Sequence, residues 1–478
     1  MTGALLAKEG YRVTVLEKNR NFGGGIQTFK RRGHFFDPGM HVFGGMQPGG
    51  NVRRILDYLC ISDKLQVEPY HDTLIYNGHR IVLPFGRDAW IEAIGRGNHR
   101  EELNTYVDAL YRLANSEALF NLRPSTSDFT PLPSDLQHIS ARQLTERYIS
   151  SESLRMRVSY ISHLYAGRDD SPALLHALTS VLHIDGIYAL VSAAESMAHA
   201  LADIITGAGG SIHTSAEVTA IEADGNKVTA VRCSTERFHA DIYISAIPIG
   251  ALLRIAPPQA FSSAFRKRIA AARQSYSAFC IYAVTKERSL RQTNASYHIL
   301  RSDANPWGMA DVQQNQWPHN MFLMTRSDRG DSQFADTITI VAPMDYHYVQ
   351  QWNGSTLGHR PDEYRKWKEC MTIQAMQMAQ EAIGPIETEY IESASPLTLR
   401  DYCGTTNGSC YGLHTSTDNP ALTTLSPHTR LTNLLLSGQD VNFHGMAGTT
   451  LTAILTAEAI VGQDSIVNKI KDKEKQTI

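Results

Sequence analysis

The sequence predicts an α/β protein built from two interleaved domains. Strand–helix units stand at both ends of the chain (residues 1–25 and 433–461), and a strand–hairpin–strand unit stands near its centre (209–248). A helical block and a β-rich block separate these units, which is the pattern of one layered domain interrupted by another. With 478 residues there is ample chain for a buried core without disulfide or metal staples. Lys plus Arg number 45 against 48 Asp plus Glu, a net charge of -3, which argues against general nucleic-acid binding. Hydrophobic residues at 42% and charged residues at 19% exclude disorder and collagen-like architecture. No apolar run reaches spanning length and no basic-then-apolar leader is present, so neither a membrane span nor a signal peptide is expected. Six scattered cysteines without a Cys-x-x-Cys pair speak against zinc and dithiol chemistry, so no metal and a cytoplasmic location are expected.

Taken in order, residues 2–10 (TGALLAKEG) read as a helix stopped by Gly10. Residues 11–17 (YRVTVLE) read as a short β-branched strand ending on an acid. A folded domain rarely begins inside an uncapped helix, so a strand is expected ahead of residue 2. After Gly23-Gly24-Gly25 come two short strands (26–30, 34–37) and a glycine-punctuated loop, 38–45. Helices are expected over 51–60, 88–118 and most of 144–183, with a Pro/Ser/Thr connector at 124–133. A helix over 192–207 leads to strands 211–214 and 217–222, a hairpin turn at 224–226 and its partner strand 227–233. Residues 239–246 form another apolar strand, 278–345 alternate like a sheet, and 361–383 read as a long helix. The chain closes with strand 433–436, a turn at Gly438-Gln439-Asp440, a helix over about 448–461 and a charged, solvated tail.

Several residues carry chemistry. An acid such as Glu17, ending the second strand of a βαβ unit, can accept hydrogen bonds from ribose hydroxyls and would repel a 2′-phosphate. A polar strand end is the plain alternative. Gly23, Gly24 and Gly25 allow backbone N–H groups to approach a diphosphate, where a tight turn would serve equally. Leu434-Leu435-Leu436 delivers Gly438 and Asp440 into a turn, and Gly445-Met446-Ala447-Gly448 opens a helix of small residues. Free N–H groups and the positive helix end suit an electron-rich ring edge. Close helix packing is the competing explanation for the small residues.

These stretches resemble the phytoene desaturase, carotenoid isomerase and retinol saturase-like family of FAD-dependent oxidoreductases. The resemblance rests on ALLAKEGYRVTVLEKNRNFGGG (4–25), GHFFDPGMHVFG (33–44), PLTLRDYCGTTNGSCYG (396–412), residues 433–459 and the central stretch 209–248. It implies a Rossmann-like FAD/NAD(P)-binding domain, lacking its first strand and Gly-x-Gly-x-x-Gly turn, with an inserted α+β substrate domain. The nucleotide-binding parts would be 1–75, 191–255 and 391–465; the inserted parts 76–190 (mainly helical) and 256–390 (β-rich); the tail 466–478. Carried over by position, Glu17 would hold the adenosine ribose, and Gly23 and Gly24 would face the diphosphate. Gly25 stands where many relatives have an arginine. Val218 would contact adenine through its backbone, and Gly438, Asp440 and Gly445 to Gly448 would hold the flavin end. His41, in a Gly-x-His loop near the isoalloxazine, is a candidate proton donor. Tyr411 and Asn407 are candidates for the face between flavin and substrate. Val191-Ser-Ala-Ala-Glu195 departs from a Pro-x-Gly-Gly turn of relatives.

The implied activity is an FAD-dependent desaturase or saturase acting on carbon–carbon bonds of a lipophilic polyene, with quinone or NAD(P)H as candidate electron partner and peripheral membrane contact. Alternatives are flavin-dependent cis–trans isomerisation, an amine oxidase-like flavoenzyme, or a non-catalytic relative that lacks FAD because the diphosphate loop is absent.

Overall fold

The computed structural model describes residues 1–125, 135–136, 138–234, 236–328, 333–418 and 425–477. Two sheet systems organise it. In the first, Thr14–Leu16 pairs in parallel with Ser211–His213, and Tyr243–Ser245 pairs in parallel with Leu434–Leu436. Short parallel strands need helical cover, because connections between them return across the sheet face. Helices Thr2–Lys8, Glu195–Gly207 and Gly445–Val461 supply it through Ala4, Leu5, Met197, Leu201, Leu451 and Ile454, all buried in one cluster. The two parallel pairs are not hydrogen-bonded to each other among the described residues. Thr2 Oγ1 lies 2.9 Å from Ser437 Oγ, so the start of the first helix meets the carboxyl end of Leu434–Leu436.

The second system is a nine-stranded sheet. Its main path runs Thr388–Ala394, Ser277–Thr285, Thr337–Met344, Asn320–Arg326, Ala295–Leu300, Val67–Tyr76, Ile187–Leu190, Phe43–Gly44, with His79–Leu83 on a branch. Every residue of Ser277–Thr285 is buried, as expected of a strand with neighbours on both edges and cover on both faces. Long helix Asp362–Ile383 packs Trp367, Met371 and Ala375 into the same apolar cluster as Phe279, Ile281 and Leu323.

Two expectations about domain boundaries change. Phe43–Gly44 and Val67–Tyr76 fall within residues 1–75 but belong to the large sheet: Val67–Tyr76 runs parallel to Ala295–Leu300, with His71 opposite Ala295. Likewise Thr388–Ala394 crosses the expected boundary near 391 as an edge strand of that sheet. The helical block is also more broken than its periodicity suggests. Residues 88–118 divide into Arg87–Gly95 and Arg100–Ser116, because Arg96, Gly97 and His99 adopt positive φ and turn the chain. Residues 144–183 contain three helices, Ala141–Tyr148, Glu152–Val158 and Ala173–Asp185, and the first two begin under Ser140 and Ser151 caps. Most of the connector at 124–133 lies outside the described residues.

The charged tail is a docked helix, Ser465–Thr477. Ile466, Val467 and Ile470 are fully buried on one side of it, while Lys469 and Glu474 pair with Glu9 and Arg54 on the other elements. Its charges surround a narrow row of buried aliphatic residues, so composition hid an amphipathic stripe.

Candidate active site

The predicted cofactor residues gather at the carboxyl ends of the parallel strands, where open α/β sheets place their ligands. Glu17 follows Thr14–Leu16 directly. Its N–H donates to His213 O (2.9 Å), its carbonyl accepts from Ala216 N–H (2.8 Å), and its Oε1 accepts from Asn19 N–H (2.8 Å). The carboxylate is thereby fixed at the strand tip, beside the chain that enters Val218–Asp224. Gly23 and Gly24 both have positive φ, and a Cβ added at Gly24 or Gly25 would meet nothing within 4 Å. Gly39 is the opposite case: a Cβ there would lie 2.4 Å from Gly25 O, so only glycine lets the loop before His41 close onto the triplet.

At the other end, Gly438 (φ +92°) turns the chain after Leu434–Leu436. Asp440 Oδ2 accepts from Ile249 N–H (2.8 Å) and Oδ1 accepts from Leu413 N–H (3.0 Å). Burial raises the Asp440 pKa, against the lowering effect of those two N–H groups. Asp440 therefore ties two loops to the strand end while keeping spare acceptor capacity. Helix Gly445–Val461 begins just beyond with no side-chain cap and no acid in its first turn. The N–H groups of Gly445, Met446, Ala447 and Gly448 thus form an unsatisfied, electropositive end. His444 precedes them, and the Tyr411 ring lies 4.8 Å from its imidazole. Burial lowers the His444 pKa to about 4 and raises that of Tyr411, so both rings are neutral at physiological pH.

FAD fits this donor set at its two ends. Glu17 would answer a ribose, and the uncapped helix start with Asp440 would answer an electron-rich ring and its side chain. Gly23 to Gly25 offer open backbone between them. Helix Thr2–Lys8 has no side-chain cap. Asn407 does not join the group: it lines a separate cavity described below.

His41 lines a cavity of about 260 Å³ together with Phe35, Asp37, Tyr70, Met324 and Arg326. Its ring packs 5.5 Å from that of Phe322 in the large sheet. Burial lowers the His41 pKa to about 4 although the Asp37 carboxylate pulls the other way. Asp37 is held by Thr28 Oγ1 (2.5 Å), Ala194 N–H (3.0 Å) and Arg326 Nη1 (2.9 Å). The Asp37 and Thr28 oxygens accept from the first N–H groups around helix Glu195–Gly207, replacing the cap that Ala194 cannot supply.

Behind Phe322 stands a polar network that sequence reasoning missed. Asp72 accepts from Tyr160 OH (2.6 Å), Ser296 Oγ (2.7 Å), His183 Nδ1 (2.6 Å) and His298 Nε2 (2.9 Å). Burial pushes the Asp72 carboxyl up, but His183 and His298 outweigh it and hold the pKa well below the usual range. The Asp72, His183 and His298 ligand atoms lie within 4.8 Å of one another, close enough for a cation, yet both carboxylate oxygens are already taken by four donors. His298 Nδ1 lies 3.2 Å from His163 Nε2, and the His298 ring packs against Phe322, which in turn packs against His41. The signal was present in the strands. In the parallel ladder Asp72 stands opposite Ser296 and Leu74 opposite His298, which puts all four on one face, but only the pairing reveals it.

Fold and site together define a dinucleotide-binding flavoprotein with a substrate sheet set over the nucleotide domain. Residues 1–325 match the family of flavin containing amine oxidoreductases, and the chain belongs to that family. It is similar to all-trans-retinol 13,14-reductase of Macaca fascicularis, with 24% identity over 98% of this chain and 84% of the relative. It is also similar to 4,4'-diapophytoene desaturase of Staphylococcus aureus, with 26% identity over 46% of this chain and 47% of the relative. Among solved structures an oxidoreductase from Methanosarcina mazei shares the fold, with a TM-score of 0.63, 15% identity and 96% of each chain covered. The protein is an FAD-dependent oxidoreductase by family.

Proposed function

We propose that the protein reduces or introduces a C=C bond in a lipophilic polyene of retinoid or carotenoid type. The carrying observation is His41, a neutral imidazole on a cavity between the loop that follows strand His34–Phe36 and the large sheet. Full-length similarity to a retinol reductase supports the same reading. Glu17 would hold the ribose, Gly23 to Gly25 the diphosphate with Val218 beside the adenine, and Asp440 with Gly445 to Gly448 the flavin end. When bound, FAD supplies or accepts the hydride.

The chain's own residues do the rest. Phe35, Met324 and Tyr70 give the cavity apolar surface, beside the polar Glu68, Gln292 and Asn294. Neutral His41 can take up the proton lost when a C=C bond is introduced and, once protonated, can return it to carbon when one is reduced. Asp37, fixed by Arg326 and Thr28, faces that imidazole and stabilises positive charge developing on the ring. Tyr411 and His444 wall the flavin end. The scattered free cysteines support a reducing, cytoplasmic setting.

The test combines colour and turnover. Purified protein reconstituted with FAD should show flavin absorbance, and after reduction of the flavin it should bleach all-trans-retinol or a carotenoid under anaerobic conditions, with a product two hydrogens heavier. A chain that stays colourless with excess FAD defeats the reading.

A further inference from the structure

A second cavity, of about 580 Å³, opens between the nucleotide-binding part and the large sheet. Its walls come from helices Ile249–Ile255 and Ser263–Ala271, the entry to strand Ser277–Thr285, the end of Thr337–Met344 and the turn Thr406–Gly408. Four guanidinium groups line it: Arg168, Arg254, Arg266 and Arg273. We propose that this cavity binds a phosphate-bearing small molecule.

Charge and geometry carry the inference. Arg168 forms the floor, with a side chain 5% exposed. It donates through Nη1 to Asp311 and has Asp345 3.9 Å away, while its buried Nε has no hydrogen-bond partner. Arg266 is half-buried and donates to the carbonyls of Leu253, Ala256 and Pro257, so its charge is fixed in place and not cancelled by a carboxylate. Arg254 and Arg273 stand exposed at the mouth. Arg254 donates only to Gly250 O, and Arg273 lies 3.9 Å from Asp311, so both can swing onto a ligand. Against these four cations stand two carboxylates, Asp311 and Asp345, which leaves a surplus of positive charge facing a concave space. Guanidinium groups presented from several directions match the oxygens of phosphate, which can take paired N–H donors from each. The volume is that of a ligand site and not of a single ion. Its wall adjoins the flavin end: Ser275, on the cavity, accepts from Tyr411 N–H (3.0 Å).

A nucleotide and a phospholipid headgroup both offer this chemistry, and the experiment separates them. Protein saturated with FAD, which keeps adenine nucleotides out of the dinucleotide site, is titrated calorimetrically at low salt with inorganic pyrophosphate, with ADP, and with vesicles of phosphatidic acid in phosphatidylcholine. Saturable pyrophosphate binding is expected, competed by ADP if the natural ligand is a nucleotide or by the acidic vesicles if it is a lipid. Arg254→Glu/Arg273→Glu should weaken that binding at least 10-fold, and the milder Arg254→Gln about 3-fold, while Arg100→Glu on a distant surface changes nothing. Absence of saturable binding to all three probes overturns the proposal, as does binding that the mouth variants leave unaltered. The arginine dependence is read without turnover, so it fails or holds independently of the polyene reading.

Discussion

Burial holds the His41 imidazole neutral down to about pH 4, so at physiological pH its resting form is an uncharged base. The ring therefore rests as a base, and the imidazolium that hands over a proton is a transient form steadied by Asp37. His41→Ala should retain flavin absorbance and lose polyene reduction by about 100-fold or more, in line with the worth of a positioned acid; unchanged turnover would remove His41 from the reaction. Ala193 poses a different residue-scale question. It adopts φ +80° just before the helix that Asp37 caps, a conformation costing roughly 1–2 kcal/mol for a residue with a Cβ. Ala193→Gly should stabilise the fold by up to about 1 kcal/mol, read as a higher urea midpoint, since glycine's own entropy offsets part of the gain. The sequence pointed to this position as a departure from a glycine-bearing turn, but the strain became visible only with the backbone angle.

Elements fixed by local pattern were legible, and those fixed by distant partners were not. The strand Leu434–Leu436, its Gly438 turn and the helix after it are one contiguous signal of apolar run, turn residue and small-residue helix. The strand tip at Glu17 and the turn at Gly23 and Gly24 were legible as local structure for the same reason. Val67–Tyr76 was not, because its parallel partner Ala295–Leu300 lies far along the chain and its Pro69 and His71 blur the alternation. Asp72, His183 and His298 stayed invisible on the same account: three separate elements bring them together. The last helix was misread because its charges outnumber its three buried aliphatic residues. Its docking can be measured directly. Ile470→Ala removes a side chain 1% exposed within the main apolar cluster and should cost about 2–4 kcal/mol, seen as a lower denaturant midpoint.

The whole molecule should respond to acid through its buried histidines. His41 and His444 fall to about 4 and His176 to about 3, and His163 is lowered well below its usual value, each chiefly by burial. Unfolded histidines titrate near 6.5, so below that pH the unfolded chain takes up protons that the folded chain refuses. Stability is then complete above about pH 6.5 and drains away as pH falls toward the folded values. Buried carboxyls such as Asp440 and Glu458, whose pKa burial raises, act in the opposite direction at the acid end. Thermal melts between about pH 7 and about pH 5 should therefore show Tm falling throughout, and a level profile would contradict the assignment.

The pairing of Tyr243–Ser245 with Leu434–Leu436 has a consequence for how the chain comes into being. A strand made midway through synthesis waits for a partner that leaves the ribosome almost two hundred residues later, and the large sheet likewise awaits Thr388–Ala394. Neither layer can close until these late strands are made, so long-range strand pairing is the slow step of folding. Apolar strand edges stay open throughout that interval, which makes newly made chains of this protein natural clients for chaperones.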